Sequence, residues 1–426
     1  MSTDLSHSRF CVFCSLLCEP PDIASGNDSD LNRSGGNDFG ASFCSRRNRE
    51  IESGRSLLAS RETVVELAAR ESLLERARER MANATQRIVT GRMRSVATCR
   101  GALRVAQRWG ATVDSWDSQS AFESIAGFQR SGATTVSLAE ARDITELFLI
   151  VGGDSLIEDY PRLPAALSRG VAVPVLLFGP WSHRGCKPWL DAGFEVLAID
   201  TPIESLPRSL AQAAAIGSVS AWESQVSQWL HRPGYETVLW SMKHLELPHG
   251  DLWYESMMEW IAKRNETKRA GAISWSDLNS NFHQVCTWWT GFPGRIRWEA
   301  EDLLYDPSRF TAERWLEDAA LNSRRSSSTS SKRTAPLILW IDDSMEEIPG
   351  SVCESGLDCI AISPRSPGPA TSGFAPIWLP SQPAGLGVDA EYFRGDHAML
   401  VRGRDCCIVD QERLPPSQWC RGLLEP

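Results

Sequence analysis

The stretch CVFCSLLC places three thiols, Cys11, Cys14 and Cys18, within eight residues, and a fourth, Cys44, follows after 25 intervening residues. A thiolate is a soft metal ligand, and an iron–sulfur cubane takes four of them around one compact cluster. Closely spaced cysteines in a loop can wrap such a cluster, and a distant fourth closes the cage. The segment between Cys18 and Cys44 is rich in Gly, Asn and Ser, which suits a loop with no fixed hydrophobic demand. A zinc site would usually pair C-x2-C with a second short pair, which is missing here. Three readings stand: a [4Fe–4S] cluster on Cys11, Cys14, Cys18 and Cys44, a zinc site, and loop cysteines without metal. The spacing favours the first.

Other chemistry is thinly signalled. The seven histidines are scattered, with no His-x-His or HExxH pattern. There is no P-loop and no G-x-S-x-G elbow. The VGGDS at 151–155 ends a buried strand pattern, where α/β proteins bind ligands, but two glycines equally make a plain tight turn. The segment NFHQVCTWWTGFPGRIRW carries Trp288, Trp289 and Trp298, which are expected to pack into an interface, with a core loop as the alternative. Gly291, Pro293 and Gly294 should fix a turn, and His283 reads as a packing residue.

The elements that must position these residues alternate. Glu62–Met81 reads as an amphipathic helix, RIVTGR as a short strand, and SVATCRGALRVAQRWG as a helix capped at Gly110. ATVDS, ITELFLIV, VAVPVLLFG and FEVLAID are strands, and SLPRSLAQAAA is a helix. LILWID, DCIAIS and APIWLP form a later strand set. This alternation predicts an α/β fold of Rossmann-like parallel sheets flanked by helices, with an N-terminal Cys-rich cluster segment. The division expected is a Cys-rich segment at 1–60, an α/β core at 61–320, a Ser-rich linker or loop at 321–334, and a C-terminal α/β portion at 335–426.

Composition narrows the class. The chain has 426 residues, long enough for a sizeable core, and a formal net charge of −10. That charge argues against nucleic acid as a partner, which needs a basic face. No apolar run approaches the roughly 20 residues that span a bilayer, and MSTDLSHSRF carries no secretory pattern. A cytoplasmic protein without a membrane partner is expected, and in a reducing compartment a tight cysteine cluster points to metal rather than disulfides.

Four stretches, in order, resemble the family of the B-type subunit of formylmethanofuran dehydrogenase, which includes bacterial members in formyltransferase/hydrolase complexes. They are CVFCSLLCEP with Cys44, the run from VDSWDSQSAFES to VGGDSLIEDYPR, NFHQVCTWWTGFPGRIRW, and VDAEYFRGDHAMLVRG. The third is the most specific. The resemblance implies a molybdopterin oxidoreductase-like fold, a [4Fe–4S] cluster, and a molybdenum or tungsten pterin held partly by a protein cysteine. Ser120 occupies that cysteine's position, and no cysteine occurs between Cys99 and Cys186. An un-ionised serine is a poor ligand for such a metal.

The resemblance then implies a structural, non-catalytic component of a formyltransferase/hydrolase complex, of the B type, in tetrahydromethanopterin-linked one-carbon metabolism. Molybdopterin or tungstopterin is not expected, and no catalytic residue is assigned. The implied partners are the amidohydrolase-type, formyltransferase and C-type subunits of the same complex, with a methanofuran-type carrier. The competing reading is an active molybdenum or tungsten oxidoreductase in which Ser120 ligates the metal as an alkoxide. A third is an α/β binding protein outside this family.

Overall fold

The computed structural model describes residues 11, 14–18, 44, 46, 67–215, 221–232, 234–326, 335–367, 376–383, 385, 389–403 and 413–425. Most of the 1–60 segment and residues 327–334 of the Ser-rich stretch lie outside them.

Local sequence sets the elements. The helix Val96–Trp109 starts where the Ser95 side chain accepts from the Thr98 amide, and it ends where Gly110 takes the left-handed conformation at φ 60°. Its Cys99, Ala102, Leu103, Val105 and Ala106 are buried, whereas Arg100, Arg104 and Arg108 face out. The helix Leu67–Asn83 buries Ala77 and Met81 in the same core, and the part of the expected helix before Leu67 lies outside the described residues.

Two parallel sheets carry the architecture. The first joins β1 (Arg87–Thr90), β2 (Thr112–Val113), β8 (Ile296–Glu299), β9 (Asp302–Tyr305), β10 (Leu337–Ile341), β11 (Asp358–Ser363) and β12 (Ile377–Pro380). Its order is β12-β11-β10-β1-β2-β8-β9, parallel except for the antiparallel β8 and β9. The second joins β3 (Leu147–Val151), β4 (Pro174–Phe178), β5 (Glu195–Ile199), β6 (Tyr235–Trp240) and β7 (Arg269–Ser274) in the order β5-β4-β3-β6-β7, all parallel. A hairpin of β13 (Ala390–Phe393) and β14 (Leu400–Gly403) stands apart. The expected α/β class with parallel sheets and flanking helices is the observed one.

Every residue of LFLIV in β3 and LILWI in β10 is buried, as strands covered on both faces must be. The second sheet is inserted in the first. Strands β1 and β2 start the first sheet, β3 to β7 intervene, and β10 returns to pair with β1 in the register Ile88↔Ile338.

Two local expectations need correction. The strand expected over ATVDS shrinks to Thr112–Val113, because Asp114 turns inward and is wholly buried. The tryptophan segment holds the helix Asn281–Thr290, with Phe282, His283, Val285 and Cys286 buried at helical spacing, followed by the expected turn and β8. Trp298, on β8, is in the core at 5% exposure and belongs to no interface, because β8 pairs with β2 and turns this side chain inward. Gly291 and Gly294 make the turn at φ 82° and 127°.

Gly91 ends β1 at φ 138°, and a Cβ there would collide with the Ile341 carbonyl oxygen. We predict that Gly91→Ala costs roughly 2–4 kcal/mol, whereas Gly132→Ala, in open space at φ 68°, costs about 1 kcal/mol. The two urea unfolding midpoints measure the difference, and equal midpoints would contradict it.

Candidate functional site

The carboxyl ends of both parallel sheets point at one small cavity of about 110 Å³. Arg94 comes from the loop after β1, Asp117 and Ser120 from the segment after β2, and Glu346 from the loop after β10. The second sheet supplies Tyr160 beyond β3, Lys243 after β6, and Asp277 and Asn279 after β7. Cys14, Ser15 and Arg46 of the N-terminal segment complete the wall. A crevice at the carboxyl ends of strands is where open α/β sheets hold ligands. Two of these residues were singled out in the sequence, Cys14 and Ser120, and the structure brings them to the same cavity.

Charges fill this junction and answer one another. Arg94 Nη2 lies 2.6 Å from Glu346 and its Nε donates to Asn279 Oδ1 at 2.9 Å, tying the first sheet to the second. Arg92 pairs with Asp342 at 3.2 Å and with Glu346 at 3.0 Å. Lys243 Nζ sits 3.0 Å from Asp159 and 3.8 Å from Asp277, and Arg46 lies 3.2 Å from Asp159. Burial works against the Asp159 carboxylate, but Lys243 and Arg46 outweigh it and hold its pKa below the usual value. Glu346 is treated likewise by Arg94 and Arg92. Asp117 has only a raised pKa, from burial first, at a left-handed φ of 56°.

Of the four cysteines expected to form a cluster, Cys14 lines this cavity and Cys18 lines a separate pocket beside Arg162 and Arg394. Cys11, Cys14 and Cys44 are buried and Cys18 is half-buried. The loop closes on itself where the Cys11 amide donates to the Cys18 carbonyl at 2.9 Å and the Leu17 amide to that of Cys14 at 3.2 Å. Burial pushes the Cys14 thiol up to about 11 and that of Cys18 up to about 12. Repulsion from Cys44 adds to both, so these three thiols sense one another. Among the described residues no three His, Cys, Asp or Glu side chains group as they would around one metal ion. Mononuclear zinc holds its thiolates at about 2.3 Å from a single centre, whereas a cubane spreads them over its corners.

The VGGDS turn does not line this cavity. Asp154 Oδ1 accepts from the Ser182 amide at 2.9 Å, and a Cβ on Gly153 would come within 3.2 Å of the Pro180 carbonyl.

A buried network that single-sequence patterns do not reveal supports Ser120 from behind. Arg295, in the turn of the tryptophan segment, donates to Ser118 Oγ at 3.2 Å and to Gln119 Oε1 at 2.9 Å, holding the start of the helix Gln119–Ser131. Its guanidinium lies 3.8 Å from the Phe122 ring centre and 3.9 Å from Asp114. Asp114 accepts from Ser118 at 3.0 Å and from the Ala312 amide at 3.1 Å through Oδ2, while Oδ1 has no partner. His283 is wholly buried, bonded through Nδ1 to the Pro293 carbonyl at 2.5 Å, and burial lowers its pKa to about 4. It is a packing residue, as its isolation in the sequence suggests. The N-terminal and final matched stretches also meet, where the Gly395 amide donates to the Ser15 carbonyl at 2.9 Å.

Paired parallel sheets with one polar crevice at their facing carboxyl ends define an α/β protein. No protein-family profile matches the sequence, and no curated protein matches it. Among solved structures the chain is similar to a chain in the crystal structure of the formyltransferase/hydrolase complex from Methylorubrum extorquens in complex with methylofuran. The TM-score is 0.67 at 19% identity, over 83% of this chain and 95% of that chain. The likeness establishes the fold. Among the described residues no helix is long and apolar enough to cross a membrane.

Burial pushes the Asp114 carboxyl up to about 7, against the pull of Arg295 and Ser118. The unfolded carboxyl loses its proton near 3.9. Between those values the folded state binds more protons, so this group's contribution to stability is lost as pH rises from about 4 to about 7. We predict that Asp114→Asn becomes more stable relative to wild type across that window, by roughly 2–4 kcal/mol. Urea unfolding at both ends of the window measures it, and an unchanged difference between the two proteins would contradict it.

Proposed function

We propose that this chain is a structural, non-catalytic component of a formyltransferase/hydrolase complex, of the B type, in tetrahydromethanopterin-linked conversion of formaldehyde to formate. Its partners are the amidohydrolase-type, formyltransferase and C-type subunits, and the complex works on a methanofuran-type carrier. Formyl transfer and hydrolysis belong to those partners.

The observation that carries the reading is the state of the strand-end crevice. Sites that enclose drug-sized ligands run to roughly 300–1,000 Å³. The cavity here is about 110 Å³, and its cations Arg46, Arg94 and Lys243 are all engaged by carboxylates of the same chain. A cavity of that size speaks against a metal-bearing pterin, and Ser120 stands where the resemblance puts a thiolate. The fold likeness to a chain of the Methylorubrum complex supports the same assignment.

The spacing of Cys11, Cys14, Cys18 and Cys44 supports a [4Fe–4S] cluster held by these four thiols as part of the proposal. Next to a closed crevice its contribution would be to stability, since metal binding free energy adds to folding free energy. A second reading has one observation in its favour: Cys14 and Ser120 share a cavity, as an electron relay beside a serine-ligated molybdenum or tungsten would require. That reading needs the ion pairs to open.

Co-expression with amidohydrolase-type and formyltransferase-type subunits tests the proposal. We expect the chain to elute with them in one complex on size-exclusion chromatography. A stable isolated monomer that oxidises formate with an artificial electron acceptor would overturn it.

A further inference from the structure

We propose that the face made by the helices Val96–Trp109 and Asn281–Thr290 and the β13–β14 hairpin docks an acidic-rimmed apolar surface on another protein chain. This rests on the reading of the protein as one part of a larger assembly, and it names the surface and the partner's chemistry. Trp288 is 60% exposed and packs edge-on against Phe393, with ring centres 4.8 Å apart. Phe393 pairs across the hairpin with Leu400, so the two side chains share a face, and Leu400 is 49% exposed. Trp289, at 37% exposure, carries the guanidinium groups of Arg100 and Arg104 at 5.8 and 5.4 Å from its ring centre. A large exposed aromatic cluster is an informative departure for a soluble surface. Tryptophan and arginine are the residue types enriched where binding energy concentrates.

The charge pattern selects the occupant. Arg100, Arg104 and Arg108 recur at every fourth residue along the exposed side of their helix, which contains no Asp or Glu. The helices Asn281–Thr290 and Pro416–Gly422 also lack acidic residues, and the second packs closely on the arginine helix and adds the exposed Arg421. The hairpin adds Glu391, which pairs across the strands with Arg402, and on a chain of net charge −10 the carboxylate-free stripe of the helices is a local reversal of sign. A two-fold contact between copies of this chain would set the arginines against one another, so the face does not suit self-association. A partner surface that offers an apolar recess for Trp288 and Leu400, ringed by Asp and Glu, answers both features and would be steered on by charge.

The test uses the full chain co-expressed with the amidohydrolase-type and formyltransferase-type subunits. Trp288→Ser and Arg104→Glu should each weaken assembly roughly tenfold or more, with thermal midpoints near wild type because both side chains are exposed. Leu252→Ser, exposed on the helix Gly250–Arg264, should assemble as wild type. Raising the salt concentration should weaken the wild-type complex and leave Arg104→Glu less affected. If wild type assembles and both variants assemble equally well, this surface is overturned while the reading of the chain as part of the complex stands. If wild type itself fails to assemble, both fall.

Discussion

The junction of the two sheets depends on compensating charge, with Arg92 and Asp342 buried and Glu346 and Lys243 reaching solvent. Arg94 is the critical member: it holds Glu346 from its own sheet at 2.6 Å and Asn279 from the other at 2.9 Å, while its carbonyl accepts from Asn281 at 2.8 Å. An ion brought out of water costs several kcal/mol unless it is paired and hydrogen-bonded. The carboxylates and cations at these strand ends therefore constrain one another, and through them the loops that carry them. A crevice whose charges are used up in this way has little left to offer a charged ligand. That is the physical argument behind the proposed structural role.

The two-sheet topology explains how distant stretches come to act together. The segments after β2 and the turn before β8 lie far apart in sequence, yet Arg295 reaches Ser118 and Gln119 because β2 and β8 are neighbours. The N-terminal cysteine loop reaches the closing segment through Ser15 and Gly395. The matched stretches thus surround one place. Ser120 and ion-paired side chains line that place.

Much of the fold was legible because it rests on local patterns. Continuous apolar runs such as LFLIV and LILWI read as buried parallel strands, and the Ser95 and Gly110 caps bound a helix without any tertiary information. The strands YETVLW and RAGAIS and the helix Gly250–Arg264 were not read, since short mixed segments take their identity from neighbours in the sheet. Of the site, Cys14 and Ser120 could be named in advance. Lys243, Asp159, Asp277 and Glu346 could not, because a lone charged residue in a loop looks like any solvated one until the topology places it beside its partner. The burial of Trp298 beside the exposure of Trp288 was likewise set by strand pairing and helix face, which composition does not encode.

The proposal that this chain has no redox site is tested most directly by metal content per polypeptide, measured on protein purified without oxygen. No molybdenum or tungsten is expected, with about four irons per chain if Cys11, Cys14, Cys18 and Cys44 hold a cubane. Molybdenum or tungsten at one per chain, lost on Ser120→Ala, would contradict that proposal and return the chain to the oxidoreductases.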